Sequence, residues 1–244
     1  LGAWGGKAGD TPAAAAGIAG DSAAPATPSG SVMPAPAGNA APASPGSASS
    51  ASAPAFGGGV RELVNPDAPT MVFLYHALSG VAPPLDQWVE NDSRVTSAPG
   101  AQKAAQRDLV RAELLAAMSA VQGTGFLRLT LHDELSEYDA TYGEFTLRSL
   151  APSSTVPYRA LQQEVGLRFG NGRDAQVWAV PAAQAQTVQD SFRFGRSVVL
   201  DLLVKIAAVQ PAPRGGTLVA DVLEYEIRTQ HGSQLLGRVR LQPP

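Results

Sequence analysis

Apolar residues recur along this chain at two periods, and the change from one to the other organises it. Met71, Leu74, Tyr75 and Leu78 fall at helical spacing between the turn and cap residues Asn65 to Pro69 and the stop at Gly80, which predicts a short helix. Leu85, Trp88 and Val89 follow Pro84 as the inward face of a second helical turn. The longest helical stretch has Ser97 as its cap, Pro99 near its first turn and Gly123 as its stop. Val110, Leu114, Met118 and Val121 form its stripe, while Lys103, Arg107, Arg111 and Glu113 fall largely outside it.

After Gly125 the period becomes two. Leu127, Leu129 and Leu131 alternate with Arg128, Thr130 and His132, the pattern of a half-buried strand, and Phe145 and Leu147 repeat it. "EVGLRFGNGRDAQVWAV" reads as a hairpin with Val165, Leu167 and Phe169 on one arm and Val177 and Ala179 on the other. Gly170-Asn171-Gly172 would supply positive φ at its bend. Pro181 opens a further helix through "AAQAQTVQDSF". Val198, Leu200, Leu202, Val204 and Ile206 are the inner line of a long strand, and "TLVADVLEYEI" follows it after a Pro-Arg-Gly-Gly connection. A turn at His231-Gly232 leads into "LLGRVRL". The sum is an α+β domain: about six to eight strands in meander order, mainly antiparallel, with helices at the front and one inserted.

Composition divides the chain at residue 60. Residues 1–59 hold three charged groups, Lys7, Asp10 and Asp21, among Ala, Gly, Pro and Ser. Such a segment buries too little apolar area to offset its conformational entropy, so it reads as a disordered tether ahead of one globular domain at 60–244. The net charge is −3, and taking Lys7, Asp10 and Asp21 from 18 basic and 21 acidic residues leaves 17 and 19. That balance draws no polyanion, so nucleic acid is not an expected partner. With no cysteine, disulfides, thiolate metal sites and cysteine catalysis are excluded. The most apolar run, "SVVLDLLVKIAAV", is too short to span a bilayer and carries Asp201 and Lys205.

Candidate chemistry is sparse. In "HDELSEYD", His132 and Glu134 share a face if the strand continues, with Asp133, Glu137 and Asp139 near. These groups could bind a metal or serve a hydrolase, but the preferred reading is a solvated turn at a strand end. Three histidines, His76, His132 and His231, and no Gly-x-Ser-x-Gly elbow give a nucleophile little support; His76 is placed on a helix with one side in solvent. "GNGR" lacks the Gly-Lys-Ser/Thr ending of a phosphate loop, and no cofactor is expected. Tyr138 and Tyr142 flank a turn, either clamping it or forming the lip of a recognition groove. Arg193 and Arg196 beside Phe192 and Phe194 make a small basic and aromatic patch that could contact an acidic partner, the preferred reading being a strand edge or loop anchored by the two rings.

"FLYHALSGVAPPLDQWV", "EYDATYGEFTLRSL", "LRFGNGRDAQVW" and "GGTLVADVLEYEI" together resemble a family of proteobacterial lipoproteins of unknown function, over roughly Asn65 to the C-terminus. The resemblance implies an envelope location and brings no catalytic residue. At the N-terminus, Leu1-Gly2-Ala3 precede Trp4 where a lipobox carries cysteine; an indole forms no thioether, so the chain as written cannot be lipidated there. The expectation is a non-catalytic, tethered envelope protein in the periplasm or at the periplasmic face of the outer membrane. It would bind a protein or envelope component through a sheet edge or concave face, or serve as a structural subunit of an envelope complex.

Overall fold

A computed structural model describes residues 60–192, 195–231 and 234–242. Trp4 and Arg193, and the 1–59 segment, lie outside the described residues. Strand β1 (Arg61–Val64) leads into four helices, α1 (Ala68–Ser79), α2 (Leu85–Asn91), α3 (Ser93–Thr96) and α4 (Lys103–Ala120). Then come β2 (Thr124–Glu134), β3 (Glu144–Thr146), a 3₁₀ turn (Arg148–Leu150), β4 (Val156–Ala160) and β5 (Gln163–Phe169). The chain continues through α5 (Gly172–Ala175), β6 (Val177–Ala179), α6 (Ala182–Asp190), β7 (Ser197–Ala212), β8 (Gly215–Thr229) and β9 (Leu235–Arg240).

The fold is α+β. Seven strands form one sheet in the order β1-β2-β7-β8-β5-β4, with β9 also on β8, and β3 pairs β6 in a small second sheet. The long β7–β8 hairpin is its centre because both strands carry a long apolar line: Val198, Leu200, Leu202, Val204 and Ile206 are all buried, as are Leu218, Ala220, Val222, Tyr225 and Ile227 across the ladder. The sheet is not a meander. β1–β2 and β5–β8 run parallel, and β2 pairs with β7, far along the chain, rather than with its sequence neighbour β3.

The expected hairpin at Gly170-Asn171-Gly172 does not form. β5 pairs β4 and β8, while β6 crosses to β3 and sets Trp178 opposite Phe145, their rings stacked at 5.5 Å. Neither Gly170 nor Gly172 has positive φ. They are small because the chain is close here: a Cβ on Gly170 would lie 2.5 Å from Asp221 Oδ1, and one on Gly172 would lie 2.5 Å from the Leu150 carbonyl. Between them, Asn171 acts as a strand surrogate. Its Nδ2 donates to the Val222 carbonyl at 2.8 Å and its Oδ1 accepts from the Val222 N–H at 2.9 Å. This joins the stretch of β8 paired with β5, ending at Ala220, to the stretch paired with β9, starting at Glu224.

Asp67 caps α1 by accepting from Thr70 N at 2.9 Å, and Gly80 closes it in the left-handed conformation. The expectation of a solvent side for His76 is corrected, since Met71 to His76 are all buried. α1 lies on the inner sheet face against β4, β5, β7 and β8, with α4 and Trp88 of α2 on its other side. The carbonyl of Val81 can only accept, so His76 Nδ1 carries a proton and donates to it at 2.9 Å. Nε2 meets the Gln163 side-chain amide at 3.0 Å. On α4 the stripe buries Val110 and half-buries Leu114 and Met118, and the basic residues outside it reach acids on α2: Arg107 to Glu90 and Arg111 to Asp86, each at 2.6 Å.

Candidate functional site

The helices cover one face of the sheet, and the other carries a concave trough of about 470 Å³ between β1 and β9. Two cross-strand rows build it. Arg128, Leu203, Glu224 and Arg240 are register partners across β2, β7, β8 and β9, and Thr130, Asp201, Glu226 and Arg238 form the next row. Alternation puts these side chains outward because the residues between them, Leu129, Leu202, Tyr225 and Val239, belong to the core side. A bulge in β8 after Val222 keeps that parity, since it brings Glu224 opposite Leu203 and returns Tyr225 inward.

Asp201 and Glu226 stand opposite each other, a repulsive arrangement unless bridged. Arg228 bridges them, approaching Asp201 at 3.6 Å and hydrogen-bonding Glu226, which Arg238 also contacts. Arg240 pairs with Glu224 at 3.1 Å and Arg128 with Glu62 of β1 at 2.8 Å. Asn65, with φ of 44°, closes the β1 end: Oδ1 accepts from Thr130 N at 2.7 Å and Nδ2 donates to Thr130 Oγ1, which donates on to Asp201 at 2.9 Å. Four guanidinium groups and four carboxylates are thus matched within the face. Arg238 and Arg240 form its open rim, with 56% and 77% of their side-chain surface accessible.

The hydrogen bonds from Arg238 first, and then from Arg228, hold the Glu226 carboxyl below the ordinary glutamate range. A lowered folded-state value means that the ionised form favours the fold. Its contribution is present above the unfolded pKa, near 4.3, and is lost as pH falls through the folded value. The Glu226→Gln variant should therefore melt below the wild type at pH 7 and show a shallower fall in melting temperature between about pH 5 and pH 3. Thermal scans at both ends of that window check this.

No family model, no curated protein and no solved structure matches the chain.

The residues singled out in the sequence fall into separate places. β2 continues to Glu134, so His132 and Glu134 do share its outer face, both exposed. Asp133 points the other way and accepts from the backbone N–H and hydroxyl of Ser149 at 2.9 and 2.7 Å. Asp139 accepts from the N–H groups of Thr141 and Tyr142, ordering a turn. Asp133 and Asp139 thus serve local backbone order, and among the described residues no three His, Asp or Glu side chains converge as a metal site. Tyr138 is a clamp: its hydroxyl donates to the Val180 carbonyl at 2.9 Å and its ring meets Phe145. Tyr142, on the ordered turn, is 75% exposed. Arg196 reaches Glu137 at 3.2 Å, which brings it next to Tyr138 in the chain.

The trough was not among the sequence candidates. Its signal was present as charge at period two, Glu224, Glu226 and Arg228 in one strand and Arg238 and Arg240 in the next, but opposing charges on adjacent strands acquire meaning only with the register.

Proposed function

We propose that this chain is a non-catalytic binding protein of the bacterial cell envelope, which receives a protein or envelope component bearing charges of both signs in the trough of its open sheet face. One observation carries the reading: four arginines and four carboxylates are matched across five strands of the open face, and three of each line a concavity with an accessible arginine rim. Pairing within the face relieves the cost of holding like charges together, and a partner with complementary charges exchanges these exposed pairs for its own. Such pairing confers specificity and speeds encounter more than it adds affinity. The Ala/Pro/Gly/Ser composition of residues 1–59 supports display on a tether, and the resemblance to envelope lipoproteins supports the location.

Charge reversal tests it. The double variant Arg238→Glu/Arg240→Glu, in the full chain, should keep its circular dichroism spectrum and lose a component that co-isolates with the wild type from envelope fractions. Arg94→Glu, on α3, should retain it. Equal recovery with both variants would refute the trough as the binding face.

A further inference from the structure

We propose that a second, smaller pocket, formed where α2 and the β4–β5 and β7–β8 turns meet, binds the free C-terminal carboxylate of a short peptide. The pocket is about 290 Å³, near the lower limit for small-ligand sites, and takes Pro84, Gln87 and Trp88 from α2 and its entry, Gln162 from the β4–β5 turn, and Pro213 and Arg214 from the β7–β8 turn.

Two features set the chemistry. The Trp88 ring is only 4% exposed, held edge-on by Phe73 at 5.9 Å and His76 at 5.4 Å, yet among the described residues nothing accepts its indole N–H. Among the described residues no fully occluded side-chain nitrogen or oxygen lacks a partner, so this N–H keeps some access to solvent, and Trp88 is one of the residues that line the pocket. Arg214 makes no ion pair among the described residues. Its nearest acid in register terms, Glu164, is held by Arg159 at 2.9 Å, and Glu164 N donates instead to the Arg214 carbonyl. An unpaired indole N–H and an uncommitted guanidinium on two residues that line one pocket suit an anionic acceptor, and a carboxylate can satisfy both.

The walls argue for a peptide behind that carboxylate. Gln87 Nε2 donates to Gln162 Oε1 at 3.0 Å, which leaves the Gln87 carbonyl and the Gln162 amino group to pair with a peptide's N–H and C=O. Pro84 and Pro213 offer apolar contact to small side chains. The site is preorganised at a cost: Leu161 and Gln162 hold φ of 52° and 60°, the left-handed region that non-glycine residues avoid, and this turn is what sets Gln162 against Gln87. The pocket is about 30 Å along β8 from the trough, so the two sites are independent.

Indole resonances provide the test. The full chain labelled with ¹⁵N is titrated with N-acetyl-alanyl-alanine, with its C-terminal amide, and with acetate. The Trp88 indole N–H should shift saturably with the free acid while that of Trp178 stays still. Binding should weaken by about tenfold or more for the amide, for acetate, and for the acid with Arg214→Gln, the loss of a charge-assisted hydrogen bond. Arg238→Glu/Arg240→Glu should bind the acid normally, which separates this site from the trough. An unmoved Trp88 signal, equal binding of acid and amide, acetate binding as well as the peptide, or indifference to Arg214→Gln would each overturn the proposal.

Discussion

Replacing Gly215 by alanine is expected to destabilise the domain by about 3–5 kcal/mol, combining backbone strain with overpacking at a site that cannot yield. Gly215 has φ of 133°, outside the conformations open to residues with a Cβ, and an added Cβ would lie 1.9 Å from the Glu164 carbonyl oxygen. That contact is backbone on backbone, at the first register pair of the parallel β5–β8 ladder. Relief requires the ladder to part, which lifts β5 and β4 from the central hairpin. Urea unfolding should show a midpoint shift of that size, while alanine at Gly100, where an added Cβ meets nothing within 4 Å, should change it little.

Asn171→Ala is the second large effect, expected to cost about 2–4 kcal/mol. The change removes both hydrogen bonds to Val222, a fully buried residue in the middle strand, and leaves its N–H and C=O with no substitute in a side chain that ends at Cβ. Asn171→Asp separates the two halves of the clamp. The introduced carboxylate still accepts from the Val222 N–H but faces the Val222 carbonyl without a proton to donate. Its folded-state pKa should rise above the unfolded value near 3.9, so the variant is penalised at neutral pH and recovers as pH falls and the carboxyl regains its proton. The variant should therefore lose less relative to wild type at pH 4 than at pH 7, in denaturant titrations run at both.

These two sites show what the sequence conveyed and what it withheld. Local signals were readable: the Asp67 cap and Gly80 stop of α1, the stripe of α4, and the inner lines of β2 and β7 sit where their periods place them. The Gly-Asn-Gly run misled because two different demands call for glycine, positive φ and close approach. Only the second applies here, against Asp221 and Leu150, residues distant in sequence. The parallel pairs β1–β2 and β5–β8 were equally hidden, since alternation tells which face a side chain takes and nothing about its neighbour strand. His76 was misplaced for a similar reason: its burial depends on Trp88 and Gln163, brought together by tertiary contact. The candidate sites followed the same rule. Tyr138 was legible as a corner residue, while the trough depends on four strands arriving in one register.

Site-specific photocrosslinking tests the binding role of the trough most directly. A benzoylphenylalanine at position 64, exposed where Val64 lines the trough, and another at position 115, exposed on α4, are compared in the full chain expressed in a Gram-negative envelope. The trough account predicts one discrete adduct from position 64, lost when Arg238→Glu/Arg240→Glu is added, and none from position 115. Adducts of the same pattern from both positions, or none from position 64, would contradict it.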